Sequence, residues 1–216
     1  MDAVTKKTKK QQPRSAETRR LLLDAAREIF VRDGYERAQI NQIAAAAGRT
    51  KGAVYGHFKD KEDLFLALFE ERSKQDMEAV VARMGTGVDK TVNFRGLRSF
   101  FSEQASDKSW GILTLEFKLY SLRYPEVRRR LREAYRQTRP DNLKEALRKV
   151  FGAVAANNRL EIEGCIAALN PILSGLVLES ALEPELFSSA SLPIFLETIF
   201  DALITREEVE LDAQNG

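Results

Sequence analysis

Five side chains within twelve positions, Thr50, Tyr55, His57, Lys59 and Lys61, carry hydroxyl, imidazole or ammonium donors. Spread over about three turns of chain, such donors suit hydrogen bonds to successive phosphate oxygens rather than a bond-breaking reaction. Just before most of them stands Lys51-Gly52-Ala53, with little bulk beyond the lysine, so the backbone of a helix N-terminus can approach base edges in a major groove. Each residue also has an ordinary reading. Tyr55 and Phe58 can be core aromatics, and Lys59 and Lys61 taken alone are solvated charges. Phe58 is assigned to the core; the hydroxyl and basic neighbours of Tyr55 assign it to DNA.

No other chemistry is organised in this way. His57 is the single histidine and Cys165 the single cysteine, so neither a Cys/His zinc cluster nor an internal disulfide can be built. There is no G-x-S-x-G, P-loop or H-E-x-x-H, and the one histidine already belongs to the donor-rich segment, so neither an enzyme nor a cofactor is expected. Cys165, between Ile162, Ile166 and Leu169, reads as packing rather than as a redox sensor.

The elements that must position the donors are helices. Apolar residues recur every three or four positions almost throughout, and alternating strand patterns are nearly absent, so the fold class is all-α. Residues 1–14 lack that periodicity and read as a disordered basic arm. Ser15 caps a first helix whose stripe is Leu22, Ala25, Ala26, Ile29 and Phe30, and Gly34 ends it. A short second helix spans Ile40 to Ala47 and stops at Gly48. After the turn Gly48-Arg49-Thr50, the Thr50 hydroxyl accepts from the backbone opening a third helix, roughly Lys51 to Phe58, which buries Val54 and Phe58. Asp60 caps a fourth from about Lys61 to Met84. Five more follow near 92–106, 108–123, 125–156, 161–181 and 190–207, with Pro140 and Pro171 expected to interrupt their helices. Nine helices result.

Charge divides along the chain. Residues 1–60 hold 13 Lys and Arg against 7 Asp and Glu, whereas the remainder holds 21 against 25. A basic head on a mildly acidic body fits nucleic-acid binding, although a solvated tail explains Lys6 to Lys10 equally well. No long uncharged apolar run predicts a membrane span, and no apolar segment follows the basic start to make a secretory signal, so a cytoplasmic protein is expected.

Two short helices joined by a tight turn and preceded by a supporting helix are the geometry of a helix-turn-helix. The run AQINQIAAAAGRTKGAVYGHFKDKEDLFLAL resembles the signature of the TetR family of bacterial transcription regulators. That resemblance implies a DNA-binding domain over 15–76 with its helix-turn-helix at 39–58, and a ligand-binding and dimerisation domain over 77–210. It implies a homodimer through the last two helices, about 161–207, that binds a pseudo-palindromic double-stranded operator and answers to a small-molecule effector, most often as a repressor. Residue by residue, it places Lys51 and Gly52 where bases are read and Thr50, Tyr55 and Lys61 on phosphates. With Gln39, Arg49, Ala53, His57 and Lys59 these form the expected DNA-contacting set. The chain departs from the pattern at Ala38-Gln39, where relatives carry Thr or Ser as a cap, and at Gly56, where many carry a larger side chain.

The rest of the chain offers less. Trp110, Leu113, Phe117 and Tyr120 form a stripe that would line an effector pocket with Phe69, Met77 and Phe101, and Glu116 beside it would favour a cationic ligand; core packing explains the same stripe. Arg128, Arg129, Arg130, Arg132, Arg136 and Arg139, interleaved with Glu126 and Glu133, read as a solvated salt-bridged face rather than a second nucleic-acid surface. Activation, effector-independent DNA binding, or a helical adaptor with an incidental basic head are the competing functions.

Overall fold

The computed structural model describes residues 5–83, 90–105, 107–138, 159–188 and 190–204. Among them the helical periodicity becomes nine α-helices and no strand. These are α1 (Thr5–Asp33), α2 (Ile40–Ala46), α3 (Lys51–Tyr55), α4 (Lys61–Arg83), α5 (Lys90–Gln104), α6 (Lys108–Arg123), α7 (Pro125–Gln137), α8 (Arg159–Leu182) and α9 (Ser191–Ile204).

Two expectations are corrected. First, α1 begins at Thr5 rather than at Ser15, so most of the expected arm is helical. Lys, Gln and Arg have good intrinsic helix propensity, although they present no apolar stripe to announce a helix; Pro13, which with that missing stripe predicted an arm, lies inside α1, and nothing in the structure explains it. Second, α8 runs through Pro171 without a break. Pro171 is exposed, so water can satisfy the carbonyl that the ring leaves without a donor. Pro140, Arg139 and the rest of the helix expected to reach residue 156 lie outside the described residues. So do residues 205–210 of the expected second domain, residues 1–4 of the expected arm, and the packing expected of Cys165.

The chain packs as two units, one of residues 1–73 with 116–138, the other of 74–115 with 139–216. This differs from the expected division at 76/77, because residues 116–138 join the N-terminal segment. The reason is an aromatic core in the first unit. Phe30, Tyr35, Phe65 and Phe117 are fully buried there. Phe117 of α6 stacks on Phe65 of α4 at 3.9 Å between centroids and meets Tyr35 edge-on at 4.7 Å. Such pairs add about 0.5–1.5 kcal/mol each beyond the area they bury. Val127, Leu131 and Ala134 bury one face of α7.

In the second unit α5 and α6 bury Leu97, Phe100, Phe101, Trp110 and Leu113, and α8 and α9 bury Leu169, Leu173, Val177, Leu192 and Leu196. Arg98 of α5 reaches Glu197 at 2.5 Å and Asp201 at 3.8 Å on α9. At Gly111 α6 comes so near α8 that an added Cβ would lie 3.3 Å from Val177 Cγ1.

Candidate nucleic-acid interface

Local hydrogen bonding sets the angle between α2 and α3. Gly48 takes φ +62°, a left-handed conformation that favours glycine. Around it the Gly48 N–H donates to the Ala45 carbonyl at 3.0 Å and the Arg49 N–H to that of Ala44 at 2.8 Å, the paired closure of a Schellman motif. The Thr50 hydroxyl then accepts from the Ala53 N–H at 3.2 Å, as its position in the sequence requires. At the other end of α2, the Gln39 N–H donates to the Gln42 side-chain oxygen at 3.2 Å. Gln39 is thus served as a cap by its neighbour, and its own side chain is exposed.

The short α3 separates its two faces cleanly. Val54 is 1% exposed, and Phe58 beyond the helix is 3% exposed under the Arg19 guanidinium; Tyr55 is 49% exposed. Arg49, Thr50, Lys51, Gly52 and Lys59 are exposed with Tyr55, while Ala53 and His57 are half-buried. The Lys51 ammonium lies 5.8 Å from the Tyr55 ring centre, one turn on. The face that remains is basic, hydroxyl-bearing and nearly free of bulk at Gly52, which suits close approach to a duplex.

Lys61 is placed elsewhere. Its ammonium donates to the carbonyls of Tyr35 at 2.9 Å, Glu36 at 3.0 Å and Ala38 at 3.2 Å, which uses all three of its protons on the loop between α1 and α2. Burial pushes this ammonium below the usual lysine range, against the opposing pull of Glu62, Glu36 and Glu116. In this geometry Lys61 is a clamp on the entry to the helix-turn-helix rather than a phosphate donor.

Sequence reading found the Asp60 cap but missed the partner that holds it from a distance. Asp60 caps α4 by accepting from the Asp63 N–H, and Asp63 accepts from the Lys59 N–H at 2.9 Å. Arg130 of α7 then bridges both carboxylates, at 3.0 Å to Asp60 and 3.1 Å to Asp63. The Asp60-x-x-Asp63 spacing is a readable cap, but nothing local points to a partner some seventy residues away.

The expected effector lining divides. Phe69, Glu116, Phe117 and Tyr120 belong to the first unit, whereas Met77, Phe101, Trp110 and Leu113 belong to the second. Phe117 is core, and Phe69 packs edge-on against Tyr135 at 4.9 Å. The Tyr120 hydroxyl donates to Glu62 at 2.8 Å, and burial first, then this bond, pushes it up to about 12. Glu116 accepts from the Glu36 N–H at 3.4 Å, so its carboxylate is turned to the α1–α2 loop that Lys61 also holds. Phe101, Trp110 and Leu113 are buried in the second unit and Met77 is half-buried. Among the described residues no helix is long and apolar enough to cross a membrane, and no group of three or more metal-ligating side chains occurs.

Residues 22–68 match the sequence model of the bacterial regulatory proteins of the tetR family, and residues 95–205 match that of the BetI-type transcriptional repressor C-terminal region. The fatty acid metabolism regulator protein of Bacillus subtilis is 33% identical over 116 residues, covering 52% of this chain and 57% of that protein. The chain therefore aligns with little more than half of that relative's length. In fold, the fatty acid degradation regulator FadR of Bacillus halodurans is similar with a TM-score of 0.65 at 22% identity, over 85% of this chain and 94% of that one. FadR of Bacillus subtilis in complex with stearoyl-CoA is similar with a TM-score of 0.61 at 22% identity, over 85% and 98%.

Proposed function

Since the chain belongs to the TetR family of bacterial regulatory proteins, we propose that it is a ligand-responsive DNA-binding transcription regulator, acting as a repressor on a pseudo-palindromic operator. One observation carries this reading. Arg49, Thr50, Lys51, Gly52 and Tyr55 share the exposed side of a short helix whose other side, through Val54 and Phe58, is locked in a core. A bare basic face around a glycine at a helix N-terminus suits close approach to a polyanionic duplex. In this reading Lys51 and Gly52 meet base edges, Gln39, Thr50, Tyr55 and Lys59 meet phosphates, and Lys61 holds the α1–α2 loop in register behind them.

A homodimer through α8 and α9 is the second part of the proposal. Leu182 is 67% and Ile194 63% exposed, with Phe195, next to Ile194 in sequence, also open to solvent. Large apolar side chains left open on the last two helices favour burial against a second copy. Release by ligand follows from the same arrangement, because an effector that favours one spacing of two recognition helices shifts their fit to successive major grooves. The first effector class to test is a long-chain acyl-CoA, supported by the stearoyl-CoA in the similar FadR structure.

Genome-wide capture of DNA by the purified protein tests the central claim. Enrichment of a short pseudo-palindrome, lost on adding the effector, is the expected result. Absence of any salt-dependent DNA affinity at low ionic strength would sink it.

A further inference from the structure

We propose that the outer face of α7 is a second DNA-contacting surface, gripping phosphates of duplex that lies outside the sequence read by α3. The inference rests on the DNA-binding reading above. It starts from how the α7 arginines divide their work. Arg130 faces inward to Asp60 and Asp63, which fixes α7 against the segment that follows the recognition helix. Arg129 pairs with Glu126 at 2.7 Å and Arg136 with Glu133 at 3.4 Å within the helix. Arg128 and Arg132 are exposed, stand one turn apart, and form no ion pair among the described residues.

Two uncompensated like charges at this spacing repel, and neither packs the core, which Val127, Leu131 and Ala134 serve. With Pro125, Arg129, Glu133 and Arg136 they line one shallow, solvent-open stretch of the same helix. The lining has no apolar side chain beyond the proline, so it does not suit a lipid surface or an apolar protein face. Planar guanidinium groups match phosphate oxygens in pairs. From Arg128 to Arg136 the helix rises about 12 Å, enough to follow roughly three phosphates along one strand.

Continuity decides for DNA over another polyanion. Glu126 in the first turn of α7 is held below the usual carboxylate range, chiefly by its Arg129 hydrogen bond and further by the charges of Arg129, Arg130 and Lys59. Geometry makes the same link: Arg130 of α7 holds the Asp63 carboxylate, which also accepts from the Lys59 N–H at 2.9 Å, so α7 is tied to the segment that carries Lys59, an exposed member of the proposed DNA face.

The test uses the full chain, the captured operator as a bare duplex, and the same duplex with about ten base pairs added at each end. Affinity is measured between 50 and 200 mM salt for wild type, R128Q/R132Q and R128K/R132K. On the longer duplex the glutamine variant should lose about 1.8 from the logarithmic salt slope per chain bound, at about 0.9 per phosphate, and the lysine variant should regain most of it. On the bare duplex all three should bind alike. A wild-type slope for R128Q/R132Q on the longer duplex overturns the inference, and so does an equal loss on both, which would put the arginines inside the operator footprint. In both cases the wild type still binds DNA and the central reading stands; a wild type that binds neither duplex overturns both. Both side chains are exposed, so unchanged thermal midpoints should accompany every variant.

Discussion

The Lys61 ammonium donates to the Tyr35 carbonyl at 2.9 Å while lying 4.7 Å from the centre of the same residue's ring. One cation therefore holds both the backbone and the ring face of Tyr35, the first residue of the turn after α1. Lys61→Gln should destabilise the chain by about 1–3 kcal/mol, because charge-assisted bonds to three carbonyls are lost at a half-exposed site. Urea denaturation measures this. The salt slope of DNA binding should stay at its wild-type value even as affinity falls; a slope reduced by about 0.9 per chain would return Lys61 to the phosphate contacts.

Thr50 can be tested through its cap alone. Thr50→Ala removes the acceptor for the Ala53 N–H and should cost about 1 kcal/mol, while Thr50→Ser keeps the oxygen and should cost little. Equal losses in the two variants, followed by chemical denaturation, would show that the methyl group and not the cap matters.

Tyr55 offers the opposite case. Its hydroxyl makes no hydrogen bond within the described residues, so Tyr55→Phe should leave the thermal midpoint unchanged. Removal of one phosphate donor should weaken DNA binding about fivefold, with the same factor on specific and random sequence. Unaltered affinity for both would remove Tyr55 from the interface.

Glu70 sets a pH dependence. Burial holds its carboxyl above the usual range, Arg19 opposes this, and Asp63 adds to it. A raised folded-state value means that the folded chain holds the proton more tightly. The stability that this lends is present at low pH and is lost as pH rises from the unfolded carboxyl value through the raised one. Glu70→Gln should therefore be more stable than wild type at pH 7, with the difference closing below about pH 4. Denaturation midpoints across pH 3.5–7.5 check both the sign and the window.

The helix-turn-helix was legible because its determinants are local. Gly48 and Thr50 each act on backbone within five positions, and Val54 with Phe58 is a one-turn pair, so spacing alone specifies them. The start of α1 was not legible, since a polar helix has no apolar period to read. Pro171 misled for a related reason: the rule that proline breaks helices presumes that the freed carbonyl has no other partner, and exposure decides that.

By itself the sequence determined the helical class, the Thr50 and Asp60 caps and the two short helices with their turn, because hydrogen bonds over a few residues and a 3.6-residue period leave little choice. Only the tertiary structure decided that Lys61 closes on the α1–α2 loop, that Glu116, Phe117 and Tyr120 make their contacts within the first unit, and that Arg130 alone of the α7 arginines turns inward to Asp60 and Asp63. Such choices depend on partners tens of residues away. A charged or aromatic side chain carries the same local signature whether it meets water, a phosphate or a distant helix, and packing supplies the difference.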